Sequence, residues 1–354
     1  MSEFITHWHD MFFDPDRIPF AIAAILVTIV VGMVSGPFIG SGNANPFIWI
    51  ALDKIFGGVG DRLNKTHRQR ADLLFRGFIF TIVIVLLMFI AGKGIDIFIA
   101  TRNAQSLFEV LALCLCISSG AVWFSLLRLY FAMEKDEVGS GAYYAISRST
   151  RSNLSNSDDF TITRCAMNYS ARSFDKSVVA PIFWYLVAGL VGVFLYTALS
   201  FLTWRFGRQG FTKGFGESAN ALEKLLGFVP NALSGLLITF AGLFTPTAKW
   251  HKGLLAFFGH KNRAGYAIGG APLSALAWSL GLSLGGASQS IDGTAIKAPW
   301  VGPQGATAKN DHKHLRRAIY INVIAHVLWI VLLLCMYLWA GVLGGGELKH
   351  IKIS

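Results

Sequence analysis

The sequence predicts an all-α fold: a polytopic integral membrane helix bundle of about five to seven transmembrane helices. Three observations carry this. Of the 354 residues 53% are hydrophobic and only 14% charged, and the mean hydropathy is +0.51. Apolar runs long enough to cross a ~30 Å hydrocarbon core recur along the chain. The basic residues fall in short clusters between those runs, as in loops that face anionic lipid.

The formal net charge of +11 is therefore assigned to a membrane surface, with lipid as partner and no nucleic acid. Cys114, Cys116, Cys165 and Cys335 lack zinc or disulfide spacing and are read as packing residues. The recurring spans pack as one domain over 1–354, within which 134–176 is the largest polar section, expected to be soluble and cytoplasmic. Packing against a second copy to form a homo-oligomer is left open.

In chain order, His7-Trp8-His9-Asp10 is either a metal-binding lead or an interfacial one. Ile18 to about Gly40 is the first span, too long for a signal-peptide core. After the Asn45-Pro46 turn, Lys54, Arg62, Lys65, Arg68 and Arg70 predict a surface helix with a cationic side. Gly77–Ala100 and Leu107–Met133 are the next spans, with Glu109 and Arg128 near opposite ends of the second.

Ser147-Arg148-Ser149-Thr150-Arg151-Ser152 carries hydroxyls and guanidiniums suited to phosphate; the plainer alternative is a solvated turn before a helix capped near Asp158 or Asp159. From Arg164 to Lys176, polar residues recur at helical spacing among small and apolar ones, which predicts a helix lining a wet cavity. Ser177 then opens an apolar run to Trp204, read as one span with Pro181 in its first turn.

Leu225–Ala248 is another span. Ala264–Gly286 is rich in Gly and Ser, which fits close helix packing or a segment that enters and leaves on one side. Its Gly285-Gly286 pair suits close approach to a phosphate, although no Gly-Lys-Ser/Thr of a P-loop follows. His312 and His314 are either metal ligands or part of a basic collar leading into the last span, Ala318–Leu343. His326 lies mid-span, a functional candidate or a helix-to-helix hydrogen bond. Counting loop charge gives six spans with both termini outside, and the basic loop at 205–224 spoils that pattern.

Several landmarks fall in a family order: Asn45-Pro46 with Trp49, Arg164 to Asp175, Val179-Ala180-Pro181-Ile182-Phe183-Trp184, Phe228-Val229-Pro230, Leu284-Gly285-Gly286 and Ala298-Pro299-Trp300-Val301-Gly302. From about Gly40 to Arg317 the chain resembles the CobD/CbiB family, membrane adenosylcobinamide-phosphate synthases. These join adenosylcobyric acid to aminopropanol phosphate in cobalamin biosynthesis. The resemblance implies a bacterial inner-membrane location, ATP and Mg2+ as cofactors, and a corrinoid and a phosphorylated small molecule as partners.

It also implies site positions. Arg148, Thr150, Arg164, Arg172, Asn262, Gly285 and Gly286 fall at phosphate or substrate positions. Asp175 and Glu223 are the surviving acids, assigned catalytic roles, with Asp175 the one metal candidate. Elsewhere the family's pattern is replaced: Asn168 and Arg172 stand where the enzymes' helix carries glutamates and Ser173 where it carries an asparagine, with Thr203 and Lys224 where further acids occur.

Magnesium needs oxygen ligands rich in carboxylate, and Arg172 puts a cation where one was bound. The site is therefore expected to be altered, with feeble synthase activity or none. Ala180-Pro181-Ile182-Phe183-Trp184 followed by an acid-poor Trp204-Arg205 end also looks like AmpE, which makes a non-catalytic inner-membrane sensor the alternative and a transporter the third reading.

Overall fold

The computed structural model describes residues 14–37, 42–65, 67–102, 104–207, 214–258 and 262–343. The expectation for His7-Trp8-His9-Asp10 and parts of the loops near 208–213 and 259–261 lie outside them.

The described chain is helical almost throughout. α1 (Ile18–Ser35) leads to a bent amphipathic segment, α2 (Phe47–Leu52) and α3 (Gly58–Leu63), joined by a π-turn. There follow α4 (Arg70–Ala100), α5 (Gln105–Cys116), α6 (Gly120–Glu134) and α7 (Tyr144–Thr150). α8 (Asp159–Phe174) runs through a second π-turn, Asp175–Val179, into α9 (Ala180–Phe206). α10 (Glu217–Ala241), α11 (Trp250–Phe258) and α12 (Gly270–Leu280) come next, and α13 (His312–Leu343) ends the described chain.

Among the described residues five helices are long and apolar enough to cross a membrane: Pro15–Ser35, Arg70–Ala100, Asp159–Phe206, Glu217–Phe244 and His312–Val342. α5 and α6, bent by 41°, make a sixth if they are one broken span. The protein is thus a multi-pass membrane protein. At the α1–α6 crossing the backbones touch: a side chain at Gly120 would run into Met33 N at 2.7 Å, and one at Gly32 into Gly120 itself. Small residues permit such approach where apolar burial gives no driving force of its own.

The long α8–α9 helix departs from expectation. At Ala188 (φ −133°, ψ 18°) and Gly189 (φ 62°, ψ −154°) it leaves helical geometry, and glycine supplies the positive φ at little steric cost. The chain folds back. A side chain at Gly192 would sit 2.5 Å from Trp184 O, atoms ~12 Å apart in a continuous helix. Lys176 and Ser200 both reach Glu223. The run 177–204 is therefore two antiparallel limbs of a hairpin and not one straight span, and Arg17 closes the turn by donating to Tyr185 O at 3.4 Å.

The section 134–176 is also not solvated throughout. From Asp159 it is helix, and Ala166, Met167, Tyr169, Ser170 and Phe174 are buried. α13 lies beside it: Asn322 donates to Ser170 O at 2.9 Å, and His326 stands 4.8 Å from Phe174. The neighbours of α8 take the place of solvent.

The glycine-rich segment forms α12, too short to span, and then four two-residue strands: β1 (Leu284–Gly285), β2 (Ser288–Gln289), β3 (Ala295–Ile296) and β4 (Trp300–Val301). β1 pairs antiparallel with β4, and β2 with β3. This folded loop covers one end of the hairpin and forms a wall of the cleft described next.

Candidate functional site

α8 begins where Asp158 accepts the Thr161 N–H at 3.1 Å, a side-chain N-cap. From there Arg164, Cys165, Asn168, Tyr169, Arg172, Ser173, Lys176 and Ser177 recur on one face and line a cleft with about 1040 Å³ of open space. The facing walls are Ser149 and Thr150 at the end of α7 and the turn Gly285-Gly286-Ala287-Ser288; Asn45, Trp49 and Trp204 close a third side. The cavity-lining helix expected from the spacing is thus in place.

Asn168 holds the glycine turn. Its Oδ1 accepts the Gly285 N–H at 3.0 Å and its Nδ2 donates to Gly285 O at 3.3 Å, so the amide engages the strand as another strand would. Gly285 (φ 70°) and Gly286 (φ 74°) are left-handed, and a side chain at Gly286 would strike the Trp300 ring at 2.9 Å. The turn brings Ala287 O within 3.1 Å of Arg164 Nη2, and the Arg164 guanidinium lies 4.7 Å above the Trp300 ring.

Asn45 ties the other side together. It donates from Nδ2 to Ser149 O at 2.9 Å and accepts from the Tyr169 hydroxyl at 3.1 Å, while Trp204 Nε1 also donates to Ser149 O at 2.6 Å. Every wall of the cleft is thereby cross-linked to α8.

Charge is arranged in two layers. The described residues that line the cleft include Arg164, Arg172 and Lys176 and no carboxylate. Among the described residues Arg172 has no direct hydrogen-bond or ion-pair partner. Behind the cleft, Lys176 Nζ lies 3.1 Å from Glu223 Oε1 and 3.8 Å from Asp175 Oδ2. It also bonds to the Tyr266 hydroxyl. Burial, reinforced by Glu223, pushes the Tyr266 phenol well above its ordinary pKa, which keeps the hydroxyl protonated as it donates to Glu223 O at 2.9 Å.

The two acids are committed elsewhere. Asp175 accepts from Asn231 Nδ2 at 2.6 Å and Ser234 Oγ at 3.1 Å; Glu223 accepts from Ser200 Oγ at 2.8 Å. Neither lines the cleft, and among the described residues no cluster of three His, Cys, Asp or Glu side chains is placed to hold a metal. The donor set fits phosphate oxygens, such as those of ATP, and does not fit a magnesium ion held by protein carboxylates.

Of the sequence-derived positions, Thr150, Arg164, Arg172, Gly285 and Gly286 come together in the cleft. Arg148 does not: it is exposed, beside Gly42. Asn262 is exposed too, left-handed at φ 56°, and serves as backbone, its carbonyl accepting the Gly302 N–H at 3.1 Å. His314 pairs with Asp311 at 2.7 Å. His326 bonds within its own helix to Asn322 O at 2.8 Å and packs edge-on and tilted against the Trp123 and Phe174 rings, with no helix-to-helix hydrogen bond of its own among the described residues.

Lys176 was legible as a site residue, since it follows Arg172 by four on the same face. Tyr266 carried no such signal.

The fold and cleft define a multi-pass membrane protein with a cation-lined pocket built from a helical hairpin and a glycine-rich cap. The chain belongs to the CobD/Cbib protein family, which matches residues 25–322. It is 24% identical over 271 residues to the cobalamin biosynthesis protein CobD of Brucella anthropi, covering 76% of this chain and 80% of that one. It is 26% identical over 233 residues to the protein of the same name from Rhizobium meliloti, with 63% and 69% covered. A probable cobalamin biosynthesis protein CobD of Methanococcus maripaludis is 24% identical over 246 residues, with 68% and 79% covered. No solved structure matches the chain. These names favour the first of the sequence readings over the AmpE-like one.

Proposed function

We propose that this protein acts in cobalamin biosynthesis as an adenosylcobinamide-phosphate synthase-like enzyme of the bacterial inner membrane, joining a phosphorylated amino alcohol to a corrinoid carboxylate. The observation that carries the reading is the row of Arg164, Arg172 and Lys176 along a cleft with no carboxylate among the described residues of its walls, in a chain whose relatives are named for this pathway.

In the reaction the amine nitrogen bonds to the carboxyl carbon and one carboxyl oxygen leaves. When bound, ATP supplies the phosphoryl group that makes that oxygen a leaving group. The chain's own residues do the holding. Arg172 and Lys176 bind phosphate oxygens by charge-assisted hydrogen bonds, and Arg164, braced on Trp300 and Ala287 O, serves a second anionic group. Asn168 fixes the glycine turn over the substrate. No step is assigned to a protein-held magnesium, since neither Asp175 nor Glu223 lines the cleft and no cluster of three metal-ligating side chains occurs among the described residues.

The test is growth of a cobinamide-phosphate synthase deletion strain that must make its own corrinoid. Slow growth is expected when this chain is supplied, and none with Arg172→Ala. Complete failure of the unmodified chain, expressed and membrane-inserted, overturns the synthase reading.

A further inference from the structure

We infer that the cleft binds a phosphate monoester without any divalent cation, with Arg172 as the principal anion-binding residue and Lys176 beside it. This rests on the reading of the cleft as the site for a phosphorylated substrate, and goes beyond it in naming the residues and the absence of a metal requirement.

The first argument is spacing. Along a helix that rises ~1.5 Å per residue, Arg172 and Lys176 stand about 6 Å apart on one face, the span of a single phosphate gripped from two sides. Arg164 lies about 12 Å from Arg172 on the same scale, out of reach of that phosphate except by its extended side chain. At the π-turn that starts at Asp175, Asp175 turns to Asn231 and Ser234, while Lys176 lines the cleft with its Nζ anchored on Glu223 and the Tyr266 hydroxyl behind it.

The second argument is which cation is uncommitted. Arg164 spends one N–H on Ala287 O and one face on Trp300. Lys176 is paired with Glu223. Arg172 lines the cleft and has no direct hydrogen-bond or ion-pair partner among the described residues. An enclosed guanidinium held only by longer-range attraction to Glu223 and Asp175 keeps its N–H groups unspent, and an anion that supplies a fork of oxygens satisfies them.

The third is what a metal ion would meet. A divalent cation entering beside Arg172 and Lys176 faces like charge at close range in a poorly solvated place. Asp175 cannot turn to it without abandoning Asn231 and Ser234, and Glu223, whose Oε1 holds Ser200 and Lys176 while its Oε2 has no hydrogen-bond partner among the described residues, stands behind the cleft lining. In this chain two fixed cations supply the charge for holding the phosphate.

The experiment uses the full chain purified in detergent, with EDTA present, and measures binding of O-phosphoethanolamine and of inorganic phosphate by calorimetry. Saturable binding is expected, unchanged when magnesium replaces EDTA. Arg172→Gln should weaken it by about tenfold or more, with Arg172→Lys intermediate because the charge stays and the fork is lost. Arg148→Gln, outside the cleft, should leave it unchanged. Binding that appears only with magnesium, or an Arg172→Gln affinity within about twofold of wild type, overturns the inference.

Should Arg172→Gln fail to fold, the wild-type protein still decides. Phosphate should protect Arg172 and not Arg148 from an arginine-directed dicarbonyl, read by mass spectrometry, and equal labelling of Arg172 with and without phosphate overturns the inference. Metal-free phosphate binding in a chain that supports no corrinoid-dependent growth sinks the synthase reading alone. Growth without metal-free phosphate binding sinks this inference alone.

Discussion

The Ser118 N–H donates to the Ser177 carbonyl at 3.0 Å, in a helix where that carbonyl would ordinarily accept from residue 181. Residue 181 is proline and has no N–H to give. The freed acceptor meets the break between α5 and α6, where Ser118 Oγ also reaches Ala44 O at 2.6 Å. One missing proton thus joins three segments around the cleft, and the adjacent π-turn sets which way Asp175 and Lys176 point.

Pro181→Ala offers the missing N–H and lets the π-turn relax toward an α-helix. Ser118 should then lose its acceptor, worth about 1 kcal/mol, and its amide should exchange faster with deuterium. Phosphate affinity should fall with it as Lys176 rotates. An unchanged Ser118 exchange rate would show that the proline is not what frees Ser177 O.

Asn168→Glu is expected to fail as a repair of the family's acidic helix. The carboxylate would face Gly285 O, where Asn168 Nδ2 now donates at 3.3 Å, leaving two acceptors opposed at a cost of about 1–3 kcal/mol. Thermal unfolding in detergent should drop and calorimetry should show no gain in magnesium binding. A stable variant that binds magnesium tightly would refute this.

Lys176→Met leaves Glu223 and Asp175 buried without their nearest cation. Breaking such a pair from one side costs on the order of 3–5 kcal/mol, so the unfolding midpoint should fall sharply. The double variant Lys176→Met with Glu223→Gln should recover much of the loss. If the double variant is as unstable as the single one, the 3.1 Å ion pair is not the source of the effect.

For topology, single cysteines replacing Lys65 and Arg148 in a background without the native cysteines should be sealed from an impermeant reagent applied outside the cell. One replacing Arg102, at the far end of the 31-residue α4, should be labelled. All three side chains are exposed. Labelling of Arg148→Cys from outside would turn the cleft to the other side of the membrane.

The membrane class and the cavity-lining stripe were readable because both are periodic: runs of membrane length, and polar groups every third or fourth residue from Arg164 on. The reversal at Ala188–Gly189 was not, since both limbs are apolar and their joint length suits one span. Arg148 and Thr150 looked equivalent, yet two residues along a helix is a turn of about 200°, so only Thr150 faces the cleft. The withdrawal of Asp175 and Glu223 behind Lys176 depends on α10 and Tyr266, partners more than forty residues away in sequence, and local pattern carries no trace of it.

The hairpin also bears on the order in which the protein is made. Its first limb carries Arg164, Arg172 and Lys176, and a helix with three cations is a poor guest in hydrocarbon by itself. The partners that cover it, Asn231 and Glu223 on α10 and Asn322 on α13, all emerge from the ribosome later. The limb must wait in water or at the headgroups until they arrive, so the pocket closes only once α13 has been made, and a chain truncated before α13 should expose the stripe to quality-control proteases.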